Sequence, residues 1–250
     1  MTVHLSLTTT VQHLLFVFLL VIAPVWDYWD TQRLKRSPSS AGKIRYYKTL
    51  CSWLWVGSAI AALIVGWRVF TIRAAPAEIP WFLNHTWVRY LVIAVLLGVF
   101  LLFVAMPAGI VFWKKLTKRP RRYRSADALQ ALSYFLPMTQ TERRWFAFLC
   151  ITAGICEETL YRGFLLYYLH IAPWSLNLTV ALLIAAAIFG LGHLYGGISG
   201  VVGSAIAGIL LGLLFLLTGN LLLPMIFHAI FDLQKLLALR PPDAAAPARP

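Results

Sequence analysis

Acidic residues are scarce in this chain. Asp and Glu number 9 of 250 residues, against 22 Lys and Arg, for a formal net charge of +13. Cysteine is scarcer still: Cys51, Cys150 and Cys156 are the 3 present, and all lie in or beside apolar runs. No CxxC or Cys/His spacing occurs, which excludes a zinc finger and a disulfide framework. All three thiols read as small apolar residues. Charge of both signs together is 12%, about half the usual share of a soluble domain. With no clear internal repeat, a solenoid is excluded. A hydrophobic fraction of 60% excludes a disordered chain and a soluble globular enzyme.

What is abundant is apolar sequence, with a mean hydropathy of +0.75. A transmembrane helix takes about 20 residues, so seven spans use about 140. The hydropathy pattern predicts spans over 9–26, 50–68, 88–113, 145–169, 175–194, 198–218 and 221–239. The fold class expected is therefore all-α, a polytopic transmembrane helical bundle of about seven to eight spans. The first span lacks a basic n-region and a small-residue cleavage site, so it does not read as a signal peptide. Trp26, Tyr28 and Trp29 follow it as an interfacial belt. The domain reading is N-terminal transmembrane helices over 1–126, a catalytic core over 127–240 and a disordered Ala/Pro-rich tail over 241–250. Residues 127–137 are too short to span and read as an interfacial helix.

The basic excess invites a nucleic-acid reading, but the cations sit beside apolar spans. Segments 27–49 and 114–144 hold 15 of the 22. Cytoplasmic loops of membrane proteins accumulate Lys and Arg, so both segments are expected to be cytoplasmic, with the C-terminus on the same side. No nucleic-acid partner is implied. Anionic lipid headgroups are the natural partner of such loops. The chain is read as an integral, multi-pass membrane protein.

An ionisable group inside a bilayer is costly, and so marks a functional site by default. Glu157, Glu158 and Asp232 are the carboxylates that lie deep in apolar spans. His193 and His228 join them, and Arg162 reads as the one well-buried cation. They form three short clusters: Glu157 to Arg162, Phe189 to His193 and His228 to Asp232. Glu158 and Arg162 are i,i+4 on a helix and can pair. Glu157, about 100° around the helix, is turned away from that pair and has no local cation. His228 and Asp232 are also i,i+4, so the carboxyl can orient the imidazole or share its cavity; Asp232 can equally be a counter-ion to Lys235. A carboxylate and two imidazoles inside a membrane suit activation of a water, with donors near the second histidine for the oxyanion. One tension remains. Glu157 lies about 18 Å into its predicted span, while His193 sits at the end of its own. They meet if the fourth helix begins beyond the headgroups or the fifth extends past Gly197.

The three clusters, in this order and on consecutive predicted helices, resemble the CPBP family of intramembrane endopeptidases, the CAAX-protease and bacteriocin-processing family. Its pattern is E-E-x-x-x-R, F-x-x-x-H and H-x-x-x-N or D. Here it reads Glu157-Glu158-Thr-Leu-Tyr-Arg162, Phe189-Gly-Leu-Gly-His193 and His228-Ala-Ile-Phe-Asp232. The match covers roughly 145–239. The resemblance implies a helical core with a cavity open to the cytoplasm, and glutamate-dependent proteolysis without a cofactor. By that match, Glu157 activates the water with His193 beside it, and His228 and Asp232 line the oxyanion site. Glu158 and Arg162 support the first helix, and Phe189 shapes the pocket. Asp232 stands where many members have Asn. Family members were once described as metalloproteases, so zinc held by Glu157, His193 and His228 is the alternative; no H-E-x-x-H is present.

The function expected is cleavage of a peptide bond near the C-terminus or juxtamembrane region of a small, lipidated or membrane-anchored peptide or protein. The competing readings are a proton-coupled transporter, in which the same Glu and His relay protons, and a non-catalytic membrane partner.

Overall fold

The computed structural model of the protein describes residues 6–71, 85–116, 134–171 and 173–238. Among them the secondary structure is helical, apart from one isolated bridge between Thr71 and Asn220. The helices are α1 (Leu7–Arg36), α2 (Ser40–Val65, prolonged by a 3-10 segment Gly66–Phe70), α3 (Thr86–Leu116), α4 (Gln140–Glu158), α5 (Leu178–Leu191), α6 (Gly197–Thr218) and α7 (Leu222–Ala238). Beyond Glu158, α4 continues through a π-helical stretch, Thr159–Leu165, into a last turn, Leu166–His170. These rods lie where the hydropathy pattern puts spans. Leu7–Arg36, Ser40–Phe70 and Leu194–Thr218 are long and apolar enough to cross a membrane. In contrast, α4 carries Glu142, Arg143, Arg144, Glu157, Glu158 and Arg162, and α5 has only 14 residues. Exposed side chains such as Leu14, Val17, Val21 and Val25 on α1, and Ile198, Val202 and Ile206 on α6, give the bundle an apolar exterior suited to lipid. The chain is an integral membrane protein.

Local sequence sets the helix ends. A capping box opens α4: the Thr139 side chain accepts from the Glu142 amide, and the Glu142 carboxylate accepts from the Thr139 amide, so two otherwise orphaned donors are satisfied. The Ser39 hydroxyl accepts from the Gly42 amide at the start of α2. Gly219 ends α6 at φ 74°, a left-handed conformation that a side chain disfavours. In α1, Pro24 supplies no amide to the carbonyl four residues back, and the chain widens there into a π-turn, Phe18–Ile22.

The basic segments are not loops throughout. Segment 27–49 is mostly helix, the end of α1 and the start of α2, joined by Ser37–Ser39. Arg143 and Arg144 belong to α4. Asp27, Lys43 and Glu142 are buried there, so Arg162 is not the one buried cation, as the sequence suggests. Hydropathy cannot reveal burial created by helix ends packing on each other. Lys43 Nζ lies 2.7 Å from the Leu136 carbonyl and 3.7 Å from the Glu142 carboxylate. The predicted interfacial helix 127–137 lies outside the described residues up to 133; residues 134–136 form a turn and bend. The tail 241–250 also lies outside them.

The rods alternate in direction. One end gathers the Ser37–Ser39 turn, the start of α4 and the end of α7, tied by Lys43 to Leu136, Tyr47 to Phe135 and Arg143 to Leu236. The other end joins Phe70 to Leu221 and Arg89 of α3 to the Leu217 carbonyl of α6. At the centre, α4 packs between α2 and α7, while α5 and α6 pair beside it. Contact between α4 and α7 is close because position 154 is glycine. A Cβ there would stand 2.7–2.8 Å from Ala229 Cβ, the Ala229 amide and the Met225 carbonyl. Backbone on backbone in this way brings His228 within reach of α4. Gly208 allows the same approach of α6 to Ala186 of α5.

This packing makes a stability prediction. Gly154→Ala should cost about 1–3 kcal/mol, as overpacking does, and lower the thermal midpoint of detergent-purified protein. Gly98→Ala, where a Cβ meets nothing within 4 Å, should leave it unchanged or raise it slightly. Equal midpoints for the two variants would contradict the close α4–α7 approach.

Candidate active site

Two glutamates end the α-helical part of α4, at the point where the π-helical stretch begins. π-turns of this kind frequently mark functional sites. Glu158 is fully buried and its Oε1 is shared by two donors. Arg162 Nη1 donates to it at 2.8 Å, and so does His228 Nδ1, also at 2.8 Å, from α7. A carboxylate only accepts, so the proton on this ring nitrogen is fixed and Nε2 is left to face the other way. That Nε2 stands 3.8 Å from Glu157 Oε2 and 3.7 Å from Asp232 Oδ2. Arg162 Nη2 also reaches the Gly208 carbonyl of α6 at 3.4 Å. The ion pair predicted within one helix is thus the hub of a three-helix network.

Glu157 differs from its neighbour. Each has a buried Oε2 with no hydrogen-bond partner, but Glu158 has Oε1 bonded by Arg162 and His228, whereas Glu157 faces the cavity with His228 Nε2 at 3.8 Å. Asp232 is held by Lys235, whose Nζ donates to Oδ1 at 2.6 Å. His193 closes α5: its Nδ1 donates to the Phe189 carbonyl at 2.9 Å, leaving Nε2 as the acceptor of the neutral ring. The Phe189 ring packs against Arg162, His193, Tyr161 and His228. Arg162 lies 4.3 Å above its centroid, and the His193, Tyr161 and His228 rings are 4.8, 5.0 and 5.9 Å away. The guanidinium on the ring face adds a cation–π contact to the network.

Glu157 and His193 meet because the fourth helix begins five residues before its predicted span, while the fifth does not extend past Gly197. α4 begins at Gln140, so Glu157 lies about 25 Å along it. α5 stops at Leu191, after about 21 Å, and the chain turns back through a 3-10 segment, Leu194–Gly196, into α6. Glu157 and His193 consequently line one cavity of about 190 Å³, together with Tyr161, Asp232 and Lys235. A second, more apolar cavity of about 480 Å³ lies between α3, α6 and α7 and is lined by His193, His228, Phe189 and Asp232. All seven residues singled out from the sequence therefore gather in one place.

The sequence left several neighbours unnoticed. Tyr161 follows Glu157 by four residues and shares its helical face, a signal that was available. Asp27 and Tyr46, which also line the first cavity and are bonded to each other at 2.5 Å, carry no such signal, because they come from α1 and α2. Among the described residues, no three His, Cys, Asp or Glu side chains converge as a metal-ligand set. Of the residues named for the zinc alternative, His193 bonds the Phe189 carbonyl and His228 bonds Glu158, each through Nδ1, and His228 Nε2 stands 3.8 Å from Glu157.

Neither a curated protein nor a solved structure matches the chain. A family model does, over residues 139–234: type II CAAX prenyl endopeptidase, Rce1-like. That segment opens at the α4 capping box, ends just past Asp232 and contains every residue of the Glu157–His193–His228 cluster. Over that segment the chain is similar to the CAAX-protease family of intramembrane endopeptidases, consistent with the resemblance of the three motifs.

Proposed function

We propose that the protein hydrolyses a peptide bond near the C-terminus or juxtamembrane segment of a small, lipidated or membrane-anchored substrate, with Glu157 as the general base. The observation that carries this reading is the pair of adjacent glutamates in opposite circumstances. Glu158 has Oε1 bonded by both Arg162 and His228; Glu157 has a buried Oε2 that stands 3.8 Å from His228 Nε2, and it lies on the wall of a cavity that Glu158 does not line.

In this reading a water in the first cavity gives its proton to the Glu157 carboxylate, and its oxygen forms the bond to the scissile carbonyl carbon. His193, through Nε2, holds that water in line. The carbonyl oxygen becomes an oxyanion, and His228 in its imidazolium form donates to it from Nε2, with the Glu158 carboxylate behind the ring. Asp232, ionised against Lys235, orients His228 electrostatically and does not donate. The carbon–nitrogen bond then breaks. The proton stored on Glu157 passes to the leaving amine, the new carboxyl group keeps the water oxygen, and the site returns to its starting charge. No step requires a metal.

The catalytic core is taken as 127–240, with the helices of 1–126 completing the cavity wall. The basic end of the bundle is taken as cytoplasmic, by the excess of Lys and Arg there. No observation in the structure favours the transporter reading over this one.

Replacing Glu157 by Gln keeps the shape and removes the base. It should lower kcat by about 10²–10⁴-fold, the usual worth of a general base, with unchanged thermal midpoint and membrane insertion. His193→Ala should act similarly. Undiminished peptidase activity of Glu157→Gln in proteoliposomes would end the assignment. Chelation separates the two hydrolytic chemistries: the purified enzyme should keep its activity after prolonged treatment with a strong zinc chelator. Stoichiometric zinc, lost together with activity and restored with it, would transfer the water to a metal.

A further inference from the structure

Lys235 is not used by the chemistry above except as the partner of Asp232. We propose that it is a substrate-binding residue, receiving the free C-terminal carboxylate of the peptide and so fixing which way the peptide lies in the site. The proposal rests on the peptidase reading and adds the substrate's recognised end to it.

Four observations carry it. First, Lys235 lies where the two cavities meet: their linings share only His193, Asp232 and Lys235 among the described residues. It is also the one Lys or Arg in either lining among those residues. Second, it is available. Its side chain is 42% exposed, whereas Asp232 is 18% exposed. An ammonium has three donors, and one of them reaches Asp232 Oδ1. Third, it is at a useful distance. Lys235 is seven residues past His228 on α7, which is two turns, on nearly the same face and about 10 Å along the axis. Between the donor atoms the gap is shorter, because Asp232 lies between them with Oδ2 3.7 Å from His228 Nε2 and Oδ1 2.6 Å from Lys235 Nζ; at most about three extended residues span it, so one substrate can present its scissile carbonyl to His228 and its terminus to Lys235. Fourth, the remaining charge in the first cavity is of the opposite kind. Asp27, Glu157 and Asp232 all line it. A substrate carboxylate beside Asp27 or Glu157 meets repulsion with no Lys or Arg of the lining next to it, whereas beside Asp232 the Lys235 ammonium offsets that repulsion, and specificity draws on both effects.

The experiment uses the full-length protein in proteoliposomes and one quenched fluorescent peptide made in two forms. The peptide ends in an S-prenylated cysteine followed by three residues, once as the free acid and once as the C-terminal amide. Wild-type protein should cleave the acid with kcat/KM about tenfold or more above that of the amide, chiefly through KM. In Lys235→Gln the acid-to-amide ratio should fall to near one, and in Lys235→Arg most of the preference should survive. If Lys235 served only to hold Asp232, Lys235→Gln would slow both peptides alike and leave the ratio intact, which overturns the proposal. Binding of the same two peptides to Glu157→Gln, read by fluorescence anisotropy, tests the anchor without turnover. Tighter binding of the acid, equalised by adding Lys235→Gln, supports the anchor even where cleavage fails and the peptidase reading falls. Equal binding of acid and amide overturns the anchor whatever the cleavage result.

Discussion

One oxygen atom organises this molecule. Glu158 Oε1 accepts from Arg162 on its own helix and from His228 on another, in an environment with no exposed surface. A carboxylate so placed has lost its hydration, and only close donors compensate for that. Removing one member of such a network typically costs about 3–5 kcal/mol, because the others are left buried and unpaired. The same network does chemical work. It fixes the proton on Nδ1 of His228 and points Nε2 at Glu157 and Asp232. Stability and site geometry are thus one constraint, and the Arg162 contact with Phe189 extends it to the helix that ends in His193.

Backbone contact makes the constraint possible. His228 can reach Glu158 only because α7 lies directly on α4 at Gly154. The polar network and the small-residue packing are therefore interdependent: the packing brings the donors close, and the donors hold together two helices that carry charge in an apolar surrounding. This is how close helix association arises where no hydrophobic force drives apolar helices together in lipid.

Much of this was legible in the residues. Long apolar runs located the helices, and the i,i+4 rule found the Glu158–Arg162 pair before any coordinate. Scarcity helped most: with few carboxylates in the chain, each one deep in a span stood out. What was not legible comes from contacts between helices. Nothing in the spacing of His228 and Asp232 reveals that the carboxylate bonded to Nδ1 is Glu158, 70 residues away. Nor does hydropathy foresee that Asp27, in what reads as a basic connecting segment, is buried against Tyr46 on the cavity wall. The family match begins at 139, yet α1 and α2 complete the first cavity, so part of the site's surface is built from sequence outside the recognised segment.

The early stop of α5 has a consequence for the surrounding lipid. A rod of 14 residues, about 21 Å long, falls short of the roughly 30 Å of hydrocarbon. A bilayer of that thickness beside such a rod either thins or admits solvent, and each ångström of such mismatch has a modest energetic cost. In the proposed reaction the water then has only part of the bilayer's depth to travel, and a scissile bond need not be drawn to the midplane to meet it.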